Sequence, residues 1–215
     1  MKVGDAIAEI LRREGVEMVI GYPVNHVLEY AAIANIRPII VRQERTGAHM
    51  ADAISRMTSG EKIGVFVMQS GPGAENTYGA IAQAYAESVP LLVMPGGYHR
   101  RLAHVSPNYN STISMRDITK SAEPINDARE IPAIMRRAFS RLKNGRGGPV
   151  LVEIPNDIWG DEVPEPLNYR PVLRTKFGPD PAAVVDAVSL LAGAKRPVIY
   201  AGQGGHYAKA WPQLK

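Results

Sequence analysis

An apolar run ends in a carboxylate in the stretch RPIIVRQERTGAHMADAISRM, residues 37–57. Glu44 follows Ile39-Ile40-Val41, stands between Arg42 and Arg45, and opens a segment rich in small residues. A carboxyl at the mouth of a buried strand has two uses. As a helix-start acid it complements the positive end of the helix dipole, a role worth ~0.3–1 kcal/mol. As a partly desolvated acid in a cleft it can move protons for a bound substrate or cofactor. The second use requires Arg42 and Arg45 to point away from it.

Other residues invite chemistry less strongly. In Ser70-Gly71-Pro72-Gly73-Ala74-Glu75-Asn76, glycines between a strand and a helix start could turn backbone amides toward an anion. No Gly-Lys-Ser/Thr follows, and a tight strand-to-helix turn uses the same residues. Gly202-Gln203-Gly204-Gly205 falls short of a dinucleotide fingerprint and leaves only a weak nucleotide-binding reading. His49 and Asp52 lie three apart on one helical face, but a metal site needs three or four ligands. A packed or solvated pair is the simpler account. Ser70 lacks the glycine before it that a nucleophile elbow requires. The absence of cysteine removes thiolate nucleophiles, thiolate metal sites and disulfides.

These residues must be positioned by the elements around them, and the pattern of those elements is regular. Helical and strand patterns alternate: helix 3–14, strand 17–23, helix 25–34, strand 37–42, helix 44–58, strand 62–69, helix 74–87, strand 90–96, a long loop, helix 127–144 and strand 148–155. Strands of nearly continuous Val, Ile, Leu and Met are buried on both faces, the mark of a parallel sheet covered by helices. The expected fold is therefore α/β, a doubly wound, mostly parallel sheet over residues 1–160. A proline-rich linker over 161–180 and the start of a second α/β domain over 181–215 follow, the latter with helix PAAVVDAVSLLAGA and strand RPVIYAG. In open parallel sheets ligands gather beyond the carboxyl ends of the strands, and here those ends carry residues 21–26, 42–47, 69–76 and 95–100.

Composition narrows the function classes. With 45% hydrophobic and 21% charged residues the chain is globular rather than disordered. No apolar run approaches the roughly 18 residues of a membrane span, and the first residues read as an amphipathic helix rather than a signal peptide, so a cytoplasmic protein is expected. The net charge is +4. Its basic clusters (Arg12-Arg13, Arg100-Arg101 and residues 136–146) lack interleaved aromatics or a reader motif, so nucleic acid is not an expected partner.

Taken together, VIGYPVNHVLEY, RQERTGAHMADAISRM, GVFVMQSGPGAENTYGAIAQAYAESVPLLVMPG, ITKSAEPI and AFSRLKNGRGGPVLVEIPNDI resemble, in order and spacing, the N-terminal pyrimidine-binding domain of thiamine-diphosphate-dependent enzymes of the acetolactate synthase type. The resemblance covers residues 1 to about 160, and AKRPVIYAGQGG is similar to the opening of that family's middle domain. It implies a lyase or carboligase acting on a 2-oxo acid with thiamine diphosphate. It also implies Mg2+ held with the diphosphate by a domain not in this chain, and leaves room for FAD in the middle domain. The acid at Glu44's position in such enzymes hydrogen-bonds N1' of the cofactor's aminopyrimidine and favours its imino tautomer, whose nitrogen takes the proton from thiazolium C2.

Carried over residue by residue, the resemblance gives Glu44 as catalytic and Pro23, Val24, Glu44, Ser70, Gly73 and Asn76 as cofactor-binding. It gives Asn25, His26 and Gln69 as substrate-facing. The chain departs from the family pattern with Val24 and Asn25 for paired glycines, Gln69 for a small residue or Thr, and Ser106-Pro107 for a Phe-Gln pair. A related 2-oxo acid decarboxylase half-subunit, or a non-catalytic remnant or scaffold, are accordingly the alternatives. The resemblance further implies a homodimer or homotetramer, or pairing with a complementary diphosphate-binding chain, with the isolated 215 residues inactive.

Overall fold

The longer helices of the first unit bury apolar and small residues at helical spacing. The computed structural model of the protein describes residues 1–23 and 25–215. In α1 (Val3–Arg13), Val3, Ala6, Ile7, Ile10 and Leu11 fall on one face and are buried, while Arg12 and Arg13 in the last turn complement the helix dipole. The chain continues through β1 (Met18–Gly21), α2 (Val27–Ile33), β2 (Arg37–Ile40), α3 (Glu44–Met57), β3 (Gly64–Met68), α4 (Pro72–Ala86) and β4 (Leu91–Gly97). After β4 come a short α5 (Ser111–Ser114), β5 (Ser121–Pro124), α6 (Ile131–Lys143) and β6 (Val150–Pro155).

The six strands form one sheet in the order β2-β1-β3-β4-β6-β5, and every pair is parallel. Strand residues alternate between two apolar layers. Val65, Val67, Leu92, Met94, Val150 and Val152 join α1, α2 and α6 on one face. Phe66, Met68, Leu91, Val93 and Leu151 join α3 and α4 on the other. This is the doubly wound α/β sheet that the sequence pattern predicts. The chain leaves β1 toward β2 and returns on the far side of β1 as β3, so the strand order reverses between β1 and β3.

The small residues after Glu44 have a physical purpose. A Cβ on Gly47 would meet Phe66 at 2.3 Å, and a Cβ on Gly64 would meet the Ala51 carbonyl oxygen at 1.9 Å. The two glycines therefore let α3 lie directly on the sheet. At the far end of α3, Ser55 Oγ donates to the Pro90 carbonyl at 2.5 Å and accepts from the Gly64 amide at 2.7 Å, joining the helix to the starts of β3 and β4.

The structure differs from the expected elements in three places. β5 lies within the residues expected as a long loop; its four residues are only half-buried, so no apolar run announces it. The expected strand RPVIYAG is absent: residues 196–202 are in no helix or strand until Gln203, and Val198, Ile199 and Tyr200 are 88%, 66% and 97% exposed. A strand needs a neighbour for its backbone groups, and the second unit has no other strand among the described residues. Finally, the compact first unit spans Met1–Arg174. Residues 161–174 pack back on it, with Val163 and Tyr169 buried and the Glu14 carboxylate accepting from the Tyr169 hydroxyl, the Val172 amide and Lys143 Nζ. The second unit, Thr175–Lys215, contains α7 (Pro181–Gly193), capped by Asp180, and the short α8 (Gln203–Tyr207) and α9 (Trp211–Leu214). No described helix is long and apolar enough to cross a membrane.

Candidate functional site

Because β2, β1, β3 and β4 are neighbours in a parallel sheet, the loops after them open side by side on its carboxyl edge, at the reversal of strand order where open α/β sheets bind ligands. Glu44 is the first residue of α3 there, and it is 6% exposed. Its Oε2 accepts a hydrogen bond from Asn76 Nδ2, in the first turns of α4, at 3.3 Å. Arg42 and Arg45 are exposed, and among the described residues Glu44 makes no ion pair. A helix-start acid has no need of such burial, since the dipole acts as well at the surface.

The other oxygen of Glu44 has no hydrogen-bond partner among the described residues. A Cβ built on Gly73 would lie 3.5 Å from Glu44 Oε1 and 2.6 Å from Gln69 Cγ, so the missing side chain at 73 makes room for the Gln69 stem beside this oxygen. Gly71, with φ of 62°, caps α4 and turns the chain between Ser70 and Pro72. Ser70 is half-buried, and its backbone amide lies 3.4 Å from the Cβ that Gly96 lacks.

Asn25 is 7% exposed, and its side chain is fully engaged with backbone. Nδ2 donates to the carbonyls of Met68 (2.8 Å) and Met94 (3.2 Å), while Oδ1 accepts from the Val27 amide (3.0 Å). It clamps the loop after β1 to the ends of β3 and β4. His26 is exposed, edge-on to the Trp159 ring at 5.0 Å. Pro23 is exposed and borders a surface pocket with His26, Leu28 and Ile40. Val24 lies outside the described residues. The structure thus brings Glu44, Gln69, Gly73 and Asn76 together, whereas His26 turns toward Trp159. His49 is exposed, and Asp52 is paired with Arg56 at 2.8 Å. Among the described residues no three His, Asp or Glu side chains gather as a metal site.

Two residues at this edge escaped the sequence reading. The Tyr98 hydroxyl, just past β4, lies 3.2 Å from the Cβ position of Gly71. The signal was an aromatic closing the apolar run LLVMPGGY. Glu153, inside β6, is 5% exposed and accepts from the Ser111 hydroxyl. Burial pushes its carboxyl above the usual range, opposed by the Ser111 hydroxyl and amide and by His104. Its signal was an acid within VLVEIP.

Comparison with known proteins fits this geometry. Residues 1–121 match the model of the thiamine pyrophosphate enzyme, N-terminal TPP binding domain. The chain is 32% identical over 98% of its length to the acetolactate synthase isozyme 3 large subunit of Escherichia coli (strain K12), of which it covers 38%. It is 35% identical over 95% of its length to a probable acetolactate synthase large subunit of Methanocaldococcus jannaschii, covering 36% of that protein. It is 34% identical over 94% of its length to acetolactate synthase 3, chloroplastic, of Brassica napus, covering 32%. The chain thus spans about a third of the length of these relatives. With a family model matched over more than half its residues and a buried acid at the reversal of its parallel sheet, the chain belongs to the thiamine pyrophosphate enzymes, as their N-terminal cofactor-binding domain.

Proposed function

We propose that this chain is the pyrimidine-binding part of a thiamine-diphosphate-dependent lyase or carboligase acting on a 2-oxo acid. The observation that carries the reading is Glu44, buried at the start of α3, held by Asn76 at Oε2 and without a hydrogen-bond partner at Oε1 among the described residues. Glu44, Gly73 and Asn76, with Pro72 and Ser70 at the turn, would hold the aminopyrimidine end. When bound, thiamine diphosphate supplies the electron sink that lets a 2-oxo acid lose carbon dioxide. Glu44 would exchange a proton with the ring nitrogen facing Oε1. Asn76 fixes the carboxyl plane so that this oxygen stays turned to the ring. Gly73 lets the ring approach backbone, which keeps water out of the contact.

The diphosphate, its Mg2+ and any FAD would be held outside residues 1–215, by a second copy of a longer chain or by a complementary diphosphate-binding chain. Exposed apolar side chains on α3 and α4 support such a partner: Met50, Met57, Tyr78 and Tyr85 are 39%, 81%, 41% and 43% exposed. The isolated 215 residues are expected to be inactive, and a cytoplasmic location accords with the proposal.

The test is Glu44→Gln in the full-length protein loaded with thiamine diphosphate and Mg2+. Deuterium exchange at the cofactor's C2, read by NMR after acid quench, should slow by ~10²–10⁴-fold, because the amide keeps the shape but cannot relay the proton. Equal exchange in both proteins would reduce Glu44 to a helix-start acid.

A further inference from the structure

The basic cluster of residues 136–146 ends in a cavity at the amino edge of the sheet, opposite the edge that carries Glu44. Lys120 precedes β5, Arg146 and Gly147 precede β6, and with Tyr85 and Ala86 at the end of α4 they line a space of about 230 Å³. That is below the roughly 300–1,000 Å³ of sites for drug-sized molecules and suits a small ion. Both cations are held in place. Lys120 Nζ donates to the carbonyls of Arg141, Asn144 (3.2 Å) and Arg146 (2.6 Å), and Arg146 Nε donates to Ser88 Oγ at 2.8 Å. Two glycines permit this close packing. A Cβ on Gly148 would meet the Lys120 stem at 2.9 Å, and one on Gly147 would meet the Ser88 carbonyl oxygen at 2.0 Å.

Among the described residues neither Lys120 nor Arg146 makes an ion pair, and the acids of neighbouring elements are taken: Glu123 by Arg137 and Arg141, Glu87 by Arg56. The three carbonyls carry only partial charge, so they balance part of the Lys120 ammonium. They balance none of the Arg146 guanidinium, whose two Nη atoms have no hydrogen-bond partner among the described residues. Burial, and then the nearby Arg141, hold the Lys120 ammonium below the usual lysine range, a shift that a counter-anion would oppose.

We propose that this cavity binds a small oxyanion of the phosphate class, bonded by the Arg146 guanidinium and attracted by the charge of Lys120. The planar fork of a guanidinium matches two oxygens of such an ion. Because both cations are already fixed by their protein partners, binding costs little side-chain entropy. The site stands apart from the proposed cofactor site and does not depend on it.

The test titrates the 215-residue chain with inorganic phosphate, at an ionic strength held constant with chloride, and reads bound phosphate by phosphorus NMR. Binding should saturate, with a midpoint of about 1 mM, the affinity expected of a few charge-assisted bonds at a solvent-open site. Arg146→Gln should weaken it by about 10-fold or more, since a charged donor is lost. Arg146 is exposed, so the change should leave the circular dichroism unaltered. Arg129→Gln removes an equally exposed arginine, paired with Asp127, and should leave binding as it is. A wild type without saturable binding, an unchanged affinity in Arg146→Gln, or equal weakening by the two variants overturns the site.

Discussion

Asn76 Nδ2 lies 3.3 Å from Glu44 Oε2, so the first turns of α4 and α3 meet in one side-chain hydrogen bond at the edge of the sheet. The bond selects which carboxyl oxygen remains free, and the free one is over Gly73. Asn76→Ala should therefore leave the fold intact, with less than about 1 kcal/mol lost because the amide is largely exposed. It should nonetheless slow cofactor C2 exchange in the full-length protein by about 10-fold, since a misaimed acid loses much of its effect. Unchanged exchange in a folded Asn76→Ala protein would mean that Glu44 is held by its own packing.

The contact of α3 with β3 leads to a stability prediction. A Cβ on Gly64 would lie 1.9 Å from a backbone oxygen, which no rotamer change can relieve. Gly64→Ala should lower stability by at least about 2 kcal/mol, read as a lower urea midpoint with an unchanged slope. Gly79→Ala serves as a control, because nothing lies within 4 Å of its Cβ position, and it should be neutral or slightly stabilising. Equal midpoints for the two variants would show that α3 does not rest on the sheet at Gly64.

Glu153 predicts a pH dependence. Burial raises its folded-state value above the ordinary 4.5, so the folded protein holds this proton more tightly than the unfolded chain. The resulting stability is present below about pH 4.5 and lost as the pH rises through the folded value. Glu153→Gln, whose amide oxygen can still accept from Ser111, should erase that loss. Between pH 4.5 and 8 the thermal midpoint of the wild type should fall relative to the variant, and parallel curves would refute the assignment.

The apolar side chains on α3 and α4 predict association. Replacing Tyr78 and Tyr85, each less than half exposed, and Met57, which is 81% exposed, with Ser should weaken self-association or partner binding in sedimentation without altering the circular dichroism of the chain. A wild-type chain that stays monomeric at high concentration would argue for a different partner face.

Much of this was legible in the sequence because apolar spacing reports burial directly. Val3, Ala6, Ile7, Ile10 and Leu11 specify one helix face, and the run GVFVM specifies a strand covered on both sides. β5 was not legible, because an edge strand of half-buried Ser121, Ala122, Glu123 and Pro124 carries no such signal. RPVIYAG had the composition of a strand, but composition does not supply the neighbour that a strand requires. Glu44 stood out as an acid closing an apolar run, and the resemblance pointed to Asn76. The engagement of Asn25 was hidden, since its acceptors are backbone carbonyls distant in the chain and backbone leaves no trace in residue type.

Ser55 gives α3 a mechanical character. The helix is clamped to the sheet where Ser55 bridges Pro90 and Gly64, and Glu44 stands about 16 Å further along the axis, at the other end. Such a helix behaves as a beam supported at both ends, since Gly47 also seats it on Phe66 one turn from the acid. The position of the acid is thus set from both ends of α3, by the Ser55 clamp at one and by the Asn76 hydrogen bond at the other.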